Sequence, residues 1–578
     1  MAEKSELTRS KGTAAIEEPT FFALDEGPLF GVLHLPADGR VRGGVFMCGS
    51  LGKEGMDSAR FQRVVADSLA QHGFAVLRFD YLGTGDSAYP QGRGDAVADW
   101  LESIAQAIKY LRSIGTQSIT GIGIRAGSLL LNRYLEQRPA SLDNVVYLDP
   151  VSTGRRYLRE HTTLYRLAVG EDATVPGSTS IIGSRIDERA AAQFSGFRFD
   201  TGHRPVNGTL VIGRSERADG VEESARVDGV ESIAAEGFPE FAQSADVMVP
   251  MPLDAGDSAI DWIDRNTPTD RVQVLPKYVR SAVMPASEPN SALVEERIER
   301  IGDKALFAIR TLPTTGADAA GKSVMFFATA NDSHHGPGRE WVELSRQIAQ
   351  SGSQAVRWDR SGLGSGGQIS RDQWLTVYST SDVNDAIDAA RHTTDNPEKL
   401  ELVGVCSGSW YAAHVARAVN AGHLVMINQV MWTWQVFTTW PWQWRLRKSL
   451  LASSVGAGDS AQSAEHARKR IISLLKPMRI RVGELSSRWM PRLLRVLLGH
   501  LGLLHVPEVV LSSLSRGGTE ITVVASPWDV EQFGIKGGLR ALDRLPGTEL
   551  VHTEAGDHSA YHPAILTAIR SVVLEQPQ

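Results

Sequence analysis

The sequence predicts an α/β protein made of two tandem domains. Each is a mostly parallel sheet with helices on both faces, and the second carries a helical cap. Short apolar strands alternate with helical segments along most of the 578 residues, a pattern that implies strands buried on both faces. A set of glycine-containing motifs occurs twice at a nearly constant spacing, which signals duplication. In each set a strand runs into a glycine-flanked turn and then a helix. The turn is Gly123-Ile124-Arg125-Ala126-Gly127 in the first set and Gly404-Val405-Cys406-Ser407-Gly408 in the second.

Residues 1–16 read as a disordered tail, since Met1 to Thr20 is polar and lacks the apolar core of a signal peptide. The first domain is expected over 17–267. It opens with a hairpin, Phe21 to Leu24 and Leu29 to Leu35. A buried strand, Gly43 to Cys48, follows and enters a glycine-rich loop. After a helical pattern from Phe61 to His72 comes the strand Phe74 to Asp80, ending in Gly83-Thr84-Gly85-Asp86-Ser87. A helix near 96–114, the strand and turn around Gly123, and the strand from Val145 to Leu148 complete the pattern.

The second domain, 300–578, replays this plan. Ser323 to Ala328 is a strand running into a loop with Gly336 and Gly338. Arg357-Trp358-Asp359 and Gly362-Leu363-Gly364 match Arg78-Phe79-Asp80 and Gly83-Thr84-Gly85. Asp80 and Asp359 lie 279 residues apart, and Gly123 and Gly404 lie 281 apart. The stretch 268–299 holds four prolines and mixed charge, and reads as a linker.

Composition narrows the function classes. The chain is 42% hydrophobic and 22% charged, with a net charge of −7, so nothing points to nucleic acid. Its two cysteines, Cys48 and Cys406, argue against a disulfide scaffold and for a reducing cytoplasm. No apolar run reaches the roughly 18 residues of a membrane span. His334 and His335 are adjacent, but no ligand set stands at metal-binding intervals around them; no metal is expected, and a role in loop packing or toward solvent is favoured over substrate contact.

The repeated motifs resemble the α/β-hydrolase fold, twice over. The second half is similar to bacterial hydrolases with a Gly-x-Cys-Ser-Gly elbow, some of them associated with surface-polysaccharide or exosortase gene clusters. The resemblance rests on Gly404 to Gly408, the loop ending Gly336-Pro337-Gly338-Arg339, and Asp557-His558-Ser559. It implies a nucleophile elbow with Cys406 held exposed at a helix N-terminus, where a thiol ionises more readily.

A thiol nucleophile needs a base, and the base an orienting acid. The fold's chain order is nucleophile, acid, histidine. Asp529 lies just past the strand Ile521 to Ser526, and His558 follows the strand Leu550 to Thr553, so Cys406, Asp529 and His558 form the expected triad. Glu531 is an alternative acid, and Asp557 could support His558. Ser407 is out of the elbow frame, but its backbone N–H is the expected oxyanion donor, with a second near Ala330. In the first half the elbow position is Arg125, which stays protonated and cannot attack. Glu216 or Asp219 could fill its acid position, but no histidine occurs from Gly208 to Trp262. That half reads as a degenerate copy, kept for stability or dimerisation; the alternative is that Arg125 binds a carboxylate or phosphate.

An insert over 431–518 reads as a cap above the second elbow. Trp432, Trp434 and Trp440 stand with Trp442 and Trp444 in thirteen residues and either line an apolar acyl pocket or pack the cap. From Arg445 to Arg516 there are 13 Lys/Arg against four acids. This is a solvated face, or a dock for an acidic carrier protein, a phosphorylated substrate or an anionic membrane surface. The expectation is an enzyme that cleaves or transfers an acyl group of a small ester, thioester or amide without a cofactor, possible as a homodimer. The competing class is a non-catalytic scaffold.

Overall fold

The computed structural model describes residues 15–203, 205–214, 229–241, 251–285, 292–314, 321–330, 332–369, 371, 377–429, 491–501 and 503–574. These form an α/β fold with two large sheets. The first has strands β1 (Ile16–Phe22), β2 (Leu29–Leu35), β3 (Gly43–Cys48), β4 (Phe74–Phe79), β5 (Ile119–Ile124), β6 (Asn144–Leu148), β7 (Gly208–Arg214) and β8 (Val230–Ala235), in spatial order β1-β2-β4-β3-β5-β6-β7-β8. β1 and β2 are antiparallel additions at one edge, and the remaining strands run parallel.

The second sheet has strands β9 (Ser281–Met284), β10 (Val294–Ile301), β11 (Leu306–Pro313), β12 (Ser323–Phe327), β13 (Gln354–Trp358), β14 (Leu400–Val405), β15 (His423–Ile427), β16 (Glu520–Ala525) and β17 (Thr548–His552). Its order is β9-β10-β11-β13-β12-β14-β15-β16-β17. With β9 set aside, this is the order of the first sheet.

The segment expected as a linker contributes to both sheet systems. Val272–Gln273 pairs with Arg40–Val41 of the first half, while β9 and most of β10 belong to the second sheet. Pro268, Pro276 and Pro285 stand outside the strands rather than inside them, where the missing N–H costs no ladder bond. At the other end, Ile16 already pairs with Leu35, so the first strand begins inside the expected tail.

Alternate residues of the central strands feed cores on opposite faces. Phe46 packs with Leu130 and Tyr147, while its neighbour Val45 packs with Phe61 and Trp262. Met325 and Leu402 pack with Trp410; Val324 and Val403 pack with Trp341. The first-half core continues across the seam into Val294, Ile298, Phe307 and Ile309, with the Phe30 and Phe307 rings 5.8 Å apart.

The repeated Asp-x-x-Gly-x-Gly segment has a local cause. The Asp80 carboxylate accepts from the Asp86 N–H at 3.0 Å, and Asp359 accepts from the Ser365 N–H at 2.9 Å. Each aspartate thereby closes the turn that follows it. Gly85 (φ 48°) and Gly364 (φ 45°) lie in the left-handed region, and a Cβ on either would fall 2.0 or 2.1 Å from that carboxylate. Only glycine fits both demands.

A buried polar seam joins the two halves. Arg357 pairs with Asp86 and, at 2.8 Å, with Glu296. Arg346 reaches Glu296 and the Asp86 carbonyl, both at 3.0 Å. Cations and carboxylates alternate here, as burial requires, because an unpaired buried charge costs several kcal/mol.

Candidate active site

The second sheet turns from β14 into helix α1 (Ser407–Val419) at Cys406. Cys406 has φ 51° and ψ −113°, a sparsely populated conformation for a residue with a side chain. Its N–H donates to the Ile427 carbonyl at 2.8 Å, and Ser409 Oγ bonds the Gly404 and Ile427 carbonyls. The flanking glycines are sterically required. A Cβ on Gly404 would lie 2.5 Å from Gly408, and one on Gly408 would lie 2.5 Å from the Phe327 carbonyl. The turn is pressed against β12, and the thiol projects from its tip.

Three predicted residues meet there. His558 Nε2 lies 3.1 Å from Cys406 Sγ, and His558 Nδ1 lies 2.8 Å from Asp529 Oδ1. Asp529 is buried at the start of helix α2 (Pro527–Ile535) and also accepts from Ser526 Oγ. Asp557 accepts from the backbone N–H groups of Ser559, Tyr561 and His562, which folds the loop that carries His558. No hydrogen bond or ion pair joins Glu531 to the imidazole among the described residues.

Burial opposes ionisation of the Cys406 thiol. The His558 hydrogen bond and charge outweigh it, aided by the Thr329 hydroxyl and the Ser407 N–H, and hold the thiol below its ordinary value. Burial also opposes charging His558, but Asp529 and Cys406 outweigh it and lift the imidazole to about 10. Cys48 differs: it is fully buried, and burial pushes its thiol up.

Two residues here escaped the sequence reading. Asn428, just past β15 with φ 49°, donates from Nδ2 to the Asp557 and His558 carbonyls at 3.0 and 2.9 Å. Its Oδ1 accepts from the Ser526 N–H at 2.8 Å. It thus ties the loop of the base to the strand end of the acid. Thr329 stands in the loop after β12, where its hydroxyl favours the Cys406 thiolate. The Ala330 N–H, expected as an oxyanion donor, is instead taken up by Ser407 Oγ at 2.7 Å. Trp432, Trp434 and Trp440 lie outside the described residues, as does the basic stretch up to residue 490 and the acid candidates Glu216 and Asp219. Among the described residues no helix is long and apolar enough to cross a membrane.

The first-half elbow is closed. Arg125 Nε lies 2.9 Å from Glu54 and its Nη1 3.0 Å from Asp149, all three buried. Arg214 braces Asp149 at 2.7 Å, and His161 approaches Glu54 at 3.6 Å. The guanidinium that could have met an external carboxylate or phosphate is paired with internal ones. At the seam, His334 and His335 turn their Nε2 atoms toward Asp86 of the first half. These three offer ligand atoms within 4.8 Å of one another, a grouping that the adjacent histidines alone did not reveal.

Residues 52–173 match the family described as serine aminopeptidase, S33. The matched segment lies in the first half and includes Arg125. No curated protein shows significant sequence similarity to the chain. Among solved structures, a soluble variant of monoglyceride lipase from Saccharomyces cerevisiae aligns at 13% identity, covering 45% of this chain and 99% of its own, with a TM-score of 0.32. Est1E from Butyrivibrio proteoclasticus aligns at 13% identity over 43% of this chain and 95% of its own, with a TM-score of 0.31. The thioesterase domain from the curacin biosynthetic pathway aligns at 12% over 43% and 99%, with a TM-score of 0.28. The family match and the strand order support a hydrolase of the α/β-hydrolase fold.

Proposed function

We propose that the second half is an acyl-cleaving enzyme that works through a Cys406–His558–Asp529 triad, and that the first half is a non-catalytic copy. The observation that carries this reading is the chain of contacts from Cys406 Sγ to His558 Nε2 at 3.1 Å and from His558 Nδ1 to Asp529 at 2.8 Å, at the N-terminus of α1. The helix terminus and the imidazolium both favour the thiolate.

The thiolate attacks the carbonyl carbon of an ester, thioester or amide. A C–S bond forms and the carbonyl electron pair moves onto oxygen. The Ser407 N–H and the Thr329 hydroxyl are the proposed donors to this oxyanion, since both favour negative charge at the sulfur. Collapse expels the leaving group, which takes its proton from His558. His558 then removes a proton from water as it attacks the thioacyl enzyme, releasing the acid and restoring Cys406. Asp529 holds the imidazole in orientation and stabilises its charge. A different nucleophile in place of water would make the same enzyme an acyltransferase.

A chromogenic acyl ester, given to the full chain, should produce a burst of alcohol with an acyl group on the Cys406 peptide by mass spectrometry. Cys406→Ala should show neither. Turnover that continues in Cys406→Ala would remove the assignment. Absence of any adduct across esters and thioesters, with Cys406 no more reactive than Cys48, would favour a scaffold.

A further inference from the structure

His334 and His335 lie in the loop between β12 and helix α3 (Glu340–Gln350) of the second half, at the seam with the first. Both rings are fixed on their Nδ1 side. Asp359 Oδ2 lies 2.9 Å from His334 Nδ1, and Ser333 Oγ lies 2.7 Å from His335 Nδ1. Both Nε2 atoms therefore turn the other way and converge on one oxygen, Asp86 Oδ2, at 2.6 and 3.0 Å. The other oxygen of Asp86 is held by Arg357. Asp80 Oδ2 stands 4.0 Å from His335 Nε2. His334 and Asp86 are buried, while the side chains of His335 and Asp80 keep 18% and 29% of their exposure, so the cluster opens to solvent on one side.

We propose that this cluster binds a divalent transition metal of the zinc class, with His334 Nε2, His335 Nε2 and Asp86 Oδ2 as protein ligands and Asp80 or water in the fourth position. The donor set is two imidazoles and a carboxylate, which suits zinc and its neighbours rather than calcium or magnesium, both of which prefer all-oxygen shells. A hydrogen-bonded orienting group on the far nitrogen of each imidazole is the arrangement that metal-bound histidines usually have. Ligand atoms around zinc, with bonds of roughly 2.0–2.2 Å, stand about 3.3 Å apart. The two nitrogen–oxygen separations, 2.6 and 3.0 Å, would open by roughly 0.3–0.7 Å to reach that spacing, and the three ligand atoms already lie within 4.8 Å of one another.

Without a metal, His334 bridges Asp359 and Asp86 through its two ring nitrogens, and Arg357 holds the other Asp86 oxygen. A metal would replace the Nε2 proton and leave the Asp359 bond intact. Two ligands would come from each half with Asp80 counted, so the ion would cross-link β4's turn to the loop that carries Thr329.

The test uses the full-length chain bearing Cys406→Ala, which removes the reactive thiol, since a thiolate can itself bind zinc. After chelator treatment and dialysis against zinc, elemental analysis should give one zinc per chain. Cobalt(II) should give visible absorption bands typical of a tetrahedral site, and zinc should raise the unfolding temperature. His335→Ala, at a partly exposed position that folding should tolerate, should lower zinc content at least tenfold and abolish the cobalt bands. Asp86→Asn should do the same where it folds. A Cys406→Ala chain that takes up no zinc or cobalt above background would overturn the proposal and leave a proton-bound network. Equal zinc content in Cys406→Ala and its His335→Ala derivative would overturn it as well.

Discussion

Arg125 and Cys406 occupy the same backbone conformation, φ 54° and ψ −116° in one and φ 51° and ψ −113° in the other. Each ends the corresponding strand of its sheet and caps the helix that follows. The turn is thus the same whether its tip carries a thiol or a cation. What differs is the surroundings: the thiol meets an imidazole, and the guanidinium meets two buried carboxylates.

Removing Arg125 should therefore cost stability. Arg125→Ala would leave Glu54 and Asp149 without their shared partner, and breaking a buried pair of this kind costs about 3–5 kcal/mol. Urea unfolding of the two chains measures it. Burial works to raise the Glu54 carboxyl, but Arg125 outweighs it and holds the group down at about 2. A depressed carboxylate gives stability that is present above its unfolded value of about 4.3 and lost as pH falls toward about 2. The stability gap between wild type and Arg125→Ala should shrink over that acid range. A gap independent of pH would mean that Arg125 acts through packing alone.

Cys406 should be alkylated with an apparent midpoint below the roughly 8.5 of an ordinary thiol. The pair titrates as a unit, so its steps belong to both groups. Signs follow from the two shifts. The lowered thiol contributes stability above its unfolded value, lost as pH falls through the folded one. The raised imidazole contributes stability below its unfolded value of about 6.5, lost as pH rises through about 10. His558→Ala should raise the alkylation midpoint, because only the Thr329 hydroxyl and the Ser407 N–H would then oppose burial. Cys48 should remain unlabelled in the folded chain. Iodoacetamide rates across pH, read by peptide mass spectrometry, decide this.

Asp529→Asn keeps the side chain's shape but removes the charge that orients His558. A loss of about 10²- to 10⁴-fold in kcat is expected, by analogy with other triads, with little change in KM. The imidazole titration, followed by NMR, should fall at the same time, since Asp529 is the leading cause of its rise. An unchanged imidazole with reduced kcat would point to Glu531 or another group as the orienting acid.

Much of this arrangement was legible because its signals are local. Gly404 is forced by a 2.5 Å approach to Gly408 within one turn, and Asp80 and Asp359 each close the loop directly after them. Cys406, Asp529 and His558 stand just beyond strand ends, where apolar runs stop. The rest depends on contacts the sequence does not encode locally. Asp86 lies 248 residues from His334, and they meet only because the halves share a seam. A single threonine at 329 or asparagine at 428 looks like any loop residue until its partners are known. Pro276 and Pro285 read as part of a break, whereas each lies just outside a short strand.

Asn428 provides the last test, because it joins acid and base without touching sulfur. It sits at φ 49°, a conformation that both Asn and Asp tolerate, so Asn428→Asp leaves the backbone at rest. The change replaces the Nδ2 amide, with its two N–H donors, by one carboxylate oxygen that faces the Asp557 and His558 carbonyls. Lost hydrogen bonds of this kind cost about 1–3 kcal/mol, felt here as displacement of the His558 loop. Between about 5- and 150-fold should be lost from kcat, with Cys406 alkylation slowed near neutral pH. Asp149, the first-half counterpart, already carries the acid and uses it to hold Arg125, which shows that the position accepts a carboxylate where no histidine loop must be held. Unaltered kcat and alkylation in Asn428→Asp would mean that Asp557 and its three backbone bonds suffice to hold the base.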